Sequence, residues 1–187
     1  MNNFHKADLY RYEGKTGFKG LIYGLFIPGF RYTYLLRNAA NCTKYSFAHI
    51  FYWLLLKRYS FKYGFQISAN TLIGHGLYIG HFGTIIINPK AIIGNNCNIT
   101  AGVTIGQTNR GSKKGVPVIG NKVWIGVNAT IVGGIIIGDN VLIAPNSYVN
   151  FDIPHHSLVI GNPAKIIPAV NPTDKYIEFI FNEKIIH

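Results

Sequence analysis

Four histidines are the strongest candidates for acid–base chemistry in this chain of 187 residues. Between residues 65 and 168 the only carboxylates belong to Asp139, in an Ile-Gly-Asp-Asn turn sequence, and to Asp152, just before Ile-Pro; both positions favour a structural role. Histidine has an ordinary pKa of about 6.5, so it can accept a proton at neutral pH. The histidines of this region are His75, His81, His155 and His156. We expect the last two to be solvated, in a loop after Pro154.

An aliphatic residue recurs at every sixth position over most of the same region. A period of six fits neither the helical repeat of 3.6 nor the alternation of a lone strand. It predicts short strands and turns that close three-sided coils, which stack into a parallel β-helix around an aliphatic ladder. The ladder residues are Ile67, Ile73, Ile79, Ile85, Ile87, Ile93, Ile99, Ile105, Ile119, Ile125, Ile131, Ile137, Ile143 and Val149.

The repeat is interrupted twice. Between Ile85 and Ile87 it slips by two residues, which predicts a local bulge at the Ile-Asn-Pro sequence. Residues 107–117 are polar, basic and glycine-bearing, and they predict an external loop of the kind that often has a function. Cys97 lies at an inward position of the repeat, so we expect it in the core.

The chain divides into three predicted parts. Residues 1–64 form a basic, aromatic segment of short helices, broken at 14–20 and at Pro28-Gly29. Residues 65–167 form the β-helix, and 168–187 form a linker followed by a short C-terminal helix over 173–186. The predicted fold class is therefore mainly β, a parallel β-helix with a short helical segment at each end.

Charge and aromatic residues concentrate in the first part. Of the net charge of +11, residues 1–64 supply +8, from ten Lys and Arg against Asp8 and Glu13, and they hold 17 of the 26 aromatic residues. This mixture suits an anionic membrane surface or plain packing of helices, and nucleic acid is disfavoured. The longest apolar runs, 21–30 and 48–56, are shorter than the ~20 residues that span a bilayer. Two cysteines and no secretion signal predict a cytoplasmic protein, or one at the inner membrane surface.

Four motifs together resemble the hexapeptide-repeat acyltransferases. They are Ile73-Gly-His-Gly-Leu-Tyr-Ile-Gly-His81, Gly102-Val-Thr-Ile-Gly106, Val123-Trp-Ile-Gly126 and Gly161-Asn-Pro-Ala-Lys165. The resemblance covers about residues 65–167 and is greatest to serine acetyltransferases and to enzymes that O-acetylate capsular or exopolysaccharide sugars. It implies a left-handed β-helix, acetyl-CoA as the acyl donor, no metal, and a homotrimer whose sites are shared between neighbouring subunits.

The same resemblance identifies His81 with the family's catalytic histidine, the general base. Three family features are altered here. Gly80 replaces the acid before the histidine, Gln66-Ile67-Ser68 replaces Asp-Ile-His, and Gly115-Val116-Pro117 replaces Arg-His-Pro. Because of these three changes we expect the acceptor to be a sugar hydroxyl rather than free serine. No Gly-x-Ser-x-Gly nucleophile is present, so we expect direct transfer without an acyl-enzyme. Gln66 or a backbone carbonyl is expected to hold the imidazole tautomer.

Predicted contacts to coenzyme A come from spacing and from the resemblance. Gly126, Ala144 and Asn162 are spaced by eighteen, which places them on one face of successive coils as an open channel, although corners prefer small residues anyway. Lys165 matches a phosphate contact of the family, and Lys113, Lys114 and Arg110 of the loop are further candidates or merely solvated. A backbone amide between Gly102 and Gly106 is the expected oxyanion donor.

Candidate acceptor contacts are His75, Tyr78 and Trp124. For His75 the alternative is a polar residue on an outer face, and Trp124 could instead flank a neighbouring subunit. The sequence leaves three other functions to compare with acetyl transfer to a sugar. A γ-type carbonic anhydrase needs three clustered histidines and is disfavoured. A serine acetyltransferase is the strongest enzymatic alternative, and a non-catalytic scaffold is the alternative of another class.

Overall fold

Four helices precede a stack of short strands within residues 2–182, the part of the chain that this computed structural model describes. The helices are α1 Asn3–Tyr10, α2 Gly17–Phe26, α3 Pro28–Asn41 and α4 Phe47–Tyr63. The strands are β1 Phe65–Gln66, β2 Leu72–Ile73, β3 Tyr78–Ile79, β4 Ile85–Ile87, β5 Ile92–Ile93, β6 Asn98–Ile99, β7 Thr104–Gly106, β8 Val118–Ile119, β9 Val123–Ile125, β10 Thr130–Val132, β11 Ile136–Ile137, β12 Val141–Ile143, β13 Tyr148–Val149, β14 Ser157–Ile160 and β15 Lys165–Pro168.

From β1 to β13, strands three apart along the chain pair with each other, as expected of a coil with three faces. Near the end of the chain, β14 pairs with β12 and with β15. Strands β1, β4, β7, β10 and β13 form sheet A, strands β2, β5, β8 and β11 form sheet B, and the other strands form sheet C. The paired strands run parallel except for β15, which returns antiparallel to β14. About five coils result, and the predicted left-handed β-helix is confirmed.

The aliphatic ladder fills the axis of the β-helix. All fourteen of its residues are buried, each at most 7% exposed. Successive coils align them directly, as in the stack Ile87, Ile105, Ile131 and Val149 of sheet A. Burying one such side chain contributes about 1.5–3 kcal/mol, so the ladder is the main source of stability. Cys97 is fully buried beside it, as predicted.

The corner between sheets B and C is built by close backbone approach and by amide side chains. A Cβ added to Gly94 would lie 2.5 Å from the carbonyl oxygen of Gly120 in the next coil, so only glycine fits there. Asn121 Oδ1 accepts a hydrogen bond from the backbone N–H of Asn95, and Asp139 Oδ1 accepts one from Asn121. Asp139 therefore has the structural role that its turn sequence predicts.

The two-residue slip in the repeat lies elsewhere than predicted. Ile85 and Ile87 both point inward from the same strand, so no bulge forms at Ile-Asn-Pro. Instead, Ile79 pairs with Ile99 while Thr84 O accepts a hydrogen bond from Gly102 N. Between these two aligned points the first coil has four residues, 80–83, whereas the second coil has only two, Thr100 and Ala101. The extra length sits in the corner between sheets C and A, which contains His81.

Side chains of the N-terminal segment cap the first coil, whose lower edge would otherwise leave backbone groups unpaired. The capping pairs are Tyr12 with Ile79, Tyr32 with Ile67, Arg37 with Ile73 and Gly74, and Asp8 with Leu77. The helix break predicted at 14–20 extends too far, because α2 already begins at Gly17. Gly20 and Gly24 are buried within α2, and a Cβ on Gly24 would lie 2.7 Å from Phe30.

The C-terminal helix predicted over 173–186 is not formed across 173–182, and the rest of that prediction lies outside the described residues. Turns replace it, with left-handed φ values of 62° at Lys175 and 50° at Phe179. The reason is docking onto the β-helix. Asn98 Nδ2 donates to Tyr176 O, and Asn96 exchanges two hydrogen bonds with the backbone of Phe181, so the segment follows the coils instead of its own helical pairing.

Candidate active site

His81 lies in the lengthened corner between β3 and β4, which we call the His81 turn (residues 80–84). His81 is exposed, and so is Phe82 beside it, at 69%. The turn is fixed at Gly83, whose φ of 138° favours glycine and whose N–H donates to Tyr63 O at 2.9 Å. Within residues 2–182, no hydrogen bond or ion pair engages the imidazole. Both ring nitrogens are therefore open to a substrate, as a general base requires.

Gln66 does not meet His81 as predicted. No hydrogen bond joins the two residues in the described chain, so the tautomer of His81 is not held by this amide. Gln66 is exposed on β1 and lines a cavity of about 1040 Å³ between α4 and sheet A, together with Trp53, Ser68 and Gly106. The sequence could not reveal this, because α4 covers β1 only after the chain folds.

The His81 turn lies on the corner between sheets C and A. Three of the predicted coenzyme A positions lie along the same corner in later coils. Gly126 and Ala144 are in register there, and Lys165 pairs with Ile160 at the same end of sheet C. From β3 to β15 the sheet spans five strand spacings, on the order of 24 Å. An extended pantetheine arm with its phosphates has a comparable reach. His81 and the exposed Lys165 thus lie at opposite ends of one continuous corner.

One of the spacing-based predictions is wrong, and at a second position the packing alternative accounts for the residue. Asn162 does not stack on Ala144, because the fifth coil is two residues shorter: Ile143 pairs with Val159, which places Ile160 in line instead. Gly126 is buried, and an added Cβ would lie 2.6 Å from the backbone nitrogen of Pro145. The contact between coils therefore explains this glycine without a ligand.

Some of the backbone amides between Gly102 and Gly106 already donate hydrogen bonds within the β-helix. Gly102 N donates to Thr84 O at 2.6 Å, and Thr104 N donates to Ala129 O at 3.0 Å. Those two amides are not free oxyanion donors in this state. Gly106 ends β7 and lines the cavity beneath α4, at the opposite end of sheet A from the His81 turn. Which amide serves an oxyanion stays a prediction.

The loop lysines lie on a different corner, between sheets A and B. The loop 107–117 leaves after β7 and is closed by paired hydrogen bonds between Thr108 and Gly115. Lys113 Nζ donates to Asp152 at 2.5 Å, and this bond is the main reason that the pKa of Asp152 is lowered. Lys114 is exposed. In one chain, the width of sheet A, about 10 Å, separates these lysines from the His81 turn.

The three predicted acceptor residues lie in two environments. The ring of His75 stacks against Phe4 at 4.0 Å and lies 6.3 Å from the ring of Phe181, a packing contact between chain ends. Trp124 packs edge-on against Tyr176 at 4.9 Å, so it is covered by its own chain. Of the three, only Tyr78 borders a cleft next to the His81 turn.

Tyr78 lines a small cleft of about 290 Å³ that also includes Gly80, the residue before His81. Arg11 forms another wall and was not predicted. Its guanidinium donates to the carbonyls of Gly76 and Glu178 and to Asn98 Oδ1, and burial lowers its pKa to about 10. No sequence motif marks Arg11, because its partners are 65 to 167 residues away.

Comparisons with known proteins agree with this fold. Residues 117–150 match the family of bacterial transferase hexapeptide (six repeats). Serine acetyltransferase 2 of Arabidopsis thaliana is 38% identical over 120 residues, which cover 64% of this chain and 37% of that protein. This chain thus spans little more than a third of that relative's length.

Two solved structures are similar over most of this chain. Serine acetyltransferase of Neisseria gonorrhoeae, in complex with serine, is 32% identical with a TM-score of 0.70, covering 87% of this chain and 67% of that one. Serine acetyltransferase of Brucella abortus, in complex with coenzyme A, is 28% identical with a TM-score of 0.73, covering 89% and 67%.

Proposed function

Because the chain belongs to the hexapeptide-repeat transferase family, we propose that it is an acetyl-CoA-dependent O-acetyltransferase with His81 as its general base. The observation that carries the proposal is the position of His81. Its imidazole is exposed and has no hydrogen-bond or ion-pair partner among residues 2–182. The His81 turn is two residues longer than the equivalent turn of the next coil, and it lies on the same corner of the β-helix as Lys165.

The proposed chemistry is direct transfer. His81 removes the proton of the acceptor hydroxyl while its oxygen attacks the thioester carbonyl, which gives a tetrahedral oxyanion. The oxyanion collapses, the C–S bond breaks, and the imidazolium returns its proton to the leaving thiolate, so the products are an acetyl ester and coenzyme A. A positioned base of this kind contributes about 10²–10⁴-fold to the rate.

Serine is the acceptor that the relatives favour. The Arabidopsis protein is a serine acetyltransferase, and the Neisseria structure was solved with serine bound. The comparisons give no specific support to the polysaccharide branch. A sugar hydroxyl stays the second candidate for a specific reason. Gly80 and Gly115-Val116 lack the charged side chains that the family places there, and a free amino acid needs charged partners.

We also propose a site shared between subunits, which the positions of two corners of the β-helix support. His81 lies at one end of sheet A and the loop lysines at the other, so no single chain brings them together. A neighbouring copy that sets its loop corner against the His81 turn would do so. We therefore retain the homotrimer as part of this proposal, with Lys113 and Lys114 acting on coenzyme A bound beside the neighbour's His81.

The first test is release of free thiol from acetyl-CoA, with L-serine and with sugar acceptors assayed in parallel. We expect His81→Ala to lower kcat/KM by at least 100-fold, while His155→Ala, an exposed histidine on the corner between sheets B and C, leaves it unchanged. Equal activity of the two variants would reject His81 as the base. Thiol release without any acceptor dependence would reject acetyl transfer.

The second test examines the shared site. His81→Ala and the double variant Lys113→Ala, Lys114→Ala are each expected to be weak enzymes. When the two are unfolded together and refolded as mixed oligomers, sites form that combine an intact turn with an intact loop, and activity should partly return. Failure of the mixture to exceed the sum of its parents would show that each site lies within one chain.

A further inference from the structure

Helix α4 exposes an apolar stripe along its whole length. The stripe, which we call the α4 stripe, consists of Phe47, Ile50, Phe51, Leu54 and Phe61. Their spacing of three, four and seven residues places them on one side of the helix. Exposure reaches 95% at Phe47 and 86% at Phe61. Lys57 and Arg58 interrupt the stripe between Leu54 and Phe61. Monomeric proteins rarely leave so many large apolar side chains uncovered on one helix side.

The opposite side of α4 packs on the rest of the protein. Leu56 and Tyr63 are buried, and Tyr52, Leu55 and Tyr59 pack against the core. The α4 stripe therefore cannot turn inward without losing that packing. Helix α2 has a second exposed apolar side, formed by Phe18, Ile22 and Phe26. Arg31 links the C-terminal ends of the two helices, since it donates to Leu25 O and to Tyr63 Oη.

Cations accompany both surfaces, and neither α2 nor α4 contains a carboxylate. Lys57, Arg58 and Lys62 are exposed on or beside the α4 stripe, and Lys19 is exposed on α2. The sequence contains no Asp or Glu between Glu13 and Asp139. A helix with an apolar side flanked by Lys and Arg is suited to the boundary between anionic headgroups and acyl chains.

Charge argues against a second copy of this surface as its cover. A symmetric contact would bring Lys57, Arg58 and Lys62 against the same cations of the partner, with no carboxylate in α4 to offset them. Nucleic acid would satisfy the cations but not the aliphatic side chains of Ile50 and Leu54. Among the described helices, none is long and apolar enough to cross a membrane, so contact would occur from one side.

We propose that α2 and α4 form a docking surface for an anionic membrane, with the α4 stripe lying in the plane of the lipid interface. This surface does not involve His81 or the coenzyme A corner, so its test needs neither substrate nor activity. Trp53 offers a native probe, because it is half-exposed on α4 with Lys57 near its ring, whereas Trp124 is packed against Tyr176.

The test is co-sedimentation of the full chain with two kinds of vesicle. One kind is phosphatidylcholine alone, and the other contains about 30% phosphatidylglycerol, which gives it a strong negative surface charge. We expect binding only to the anionic vesicles, weakening with salt, and a blue shift of Trp53 fluorescence that Trp53→Phe abolishes. Each cation near the surface strengthens binding about fivefold, so the double variant Lys57→Glu, Lys62→Glu should bind at least ~25-fold more weakly.

Matched controls separate this surface from general stickiness. Leu54→Ser should weaken binding, while Leu72→Ser, which changes a similarly exposed leucine on the β-helix, should not. Lys90→Glu with Lys122→Glu is the control for charge. Unchanged binding of Leu54→Ser, or equal binding to neutral vesicles, would overturn the proposal. So would displacement by single-stranded RNA, which indicates nucleic acid, or loss of the native oligomer in Leu54→Ser, which indicates a subunit contact.

Discussion

Arg37 offers a sharp test of how the β-helix is capped. Its guanidinium is almost fully buried and makes four hydrogen bonds, two to the carboxylate of Asp8 and one each to the carbonyls of Ile73 and Gly74. Asp8 also accepts from the N–H of Leu77 at 2.9 Å. One ion pair thus provides hydrogen-bond partners for backbone groups at the free edge of β2 and in the turn before β3.

Replacing Arg37 by Met keeps the apolar stem but removes every donor. The carboxylate of Asp8, 1% exposed, is then a buried charge without its cation, and such breakage of a buried pair costs about 3–5 kcal/mol. For a chain of this size, that corresponds to a fall in Tm of about 6–20 °C. The double variant Asp8→Asn, Arg37→Met should regain part of the loss, because neither position is then left with a buried charge that has lost its partner.

The assay is thermal and urea unfolding at one protein concentration, followed by circular dichroism. Lys113→Met is the matched control, since its ion pair with Asp152 is about half exposed to solvent and should contribute little to stability. If Arg37→Met proves no more harmful than Lys113→Met, or if the double variant is as unstable as the sum of both single variants, the capping argument is refuted.

Two further predictions concern buried titratable groups. Burial raises the pKa of Cys97 to about 12, so at pH 8 a thiol reagent should modify only the partly exposed Cys42 of the native protein and reach Cys97 on unfolding; rapid loss of two thiols would contradict this. Burial lowers the pKa of His5 below 6.5, so its neutral form contributes stability that is complete above pH 6.5 and declines as the pH falls through the lowered value. His5→Gln should therefore lose less unfolding free energy than the parent between about pH 7 and pH 5, and parallel pH profiles would argue against it.

The sequence predicts the β-helix well because burial follows one period. An inward side chain at every sixth position is required by three short strands per coil, and each ladder residue is indeed buried. Register is harder, since the period does not say how many residues each corner contains. Both Ile85 and Ile87 point inward, so the periodicity places the two extra residues after Ile85 although they lie at His81. A fifth coil of sixteen residues moves Asn162 out of line with Ala144.

The site is less predictable because its surroundings come from distant parts of the chain. His75 looks like a free polar residue until Phe4 and Phe181 close over it. The apolar spacing of Ile177, Ile180 and Phe181 suits a helix. In the fold, however, Asn96 and Asn98 donate hydrogen bonds to the backbone carbonyls of this segment, which follows the coils instead. The separation of the loop lysines from His81 likewise depends on which corner the loop leaves, a feature of three-sided geometry that a linear motif does not contain.

The β-helix is closed at both ends by different means, side chains of the helical segment below and the returning strand β15 above. Between these ends every coil presents the same parallel edges to the next. An eighteen-residue duplication there would lengthen the rod by about 4.8 Å and leave both ends intact. The architecture is therefore extendable: the distance between His81 and Lys165 could be matched to a longer or shorter donor by adding or removing whole coils.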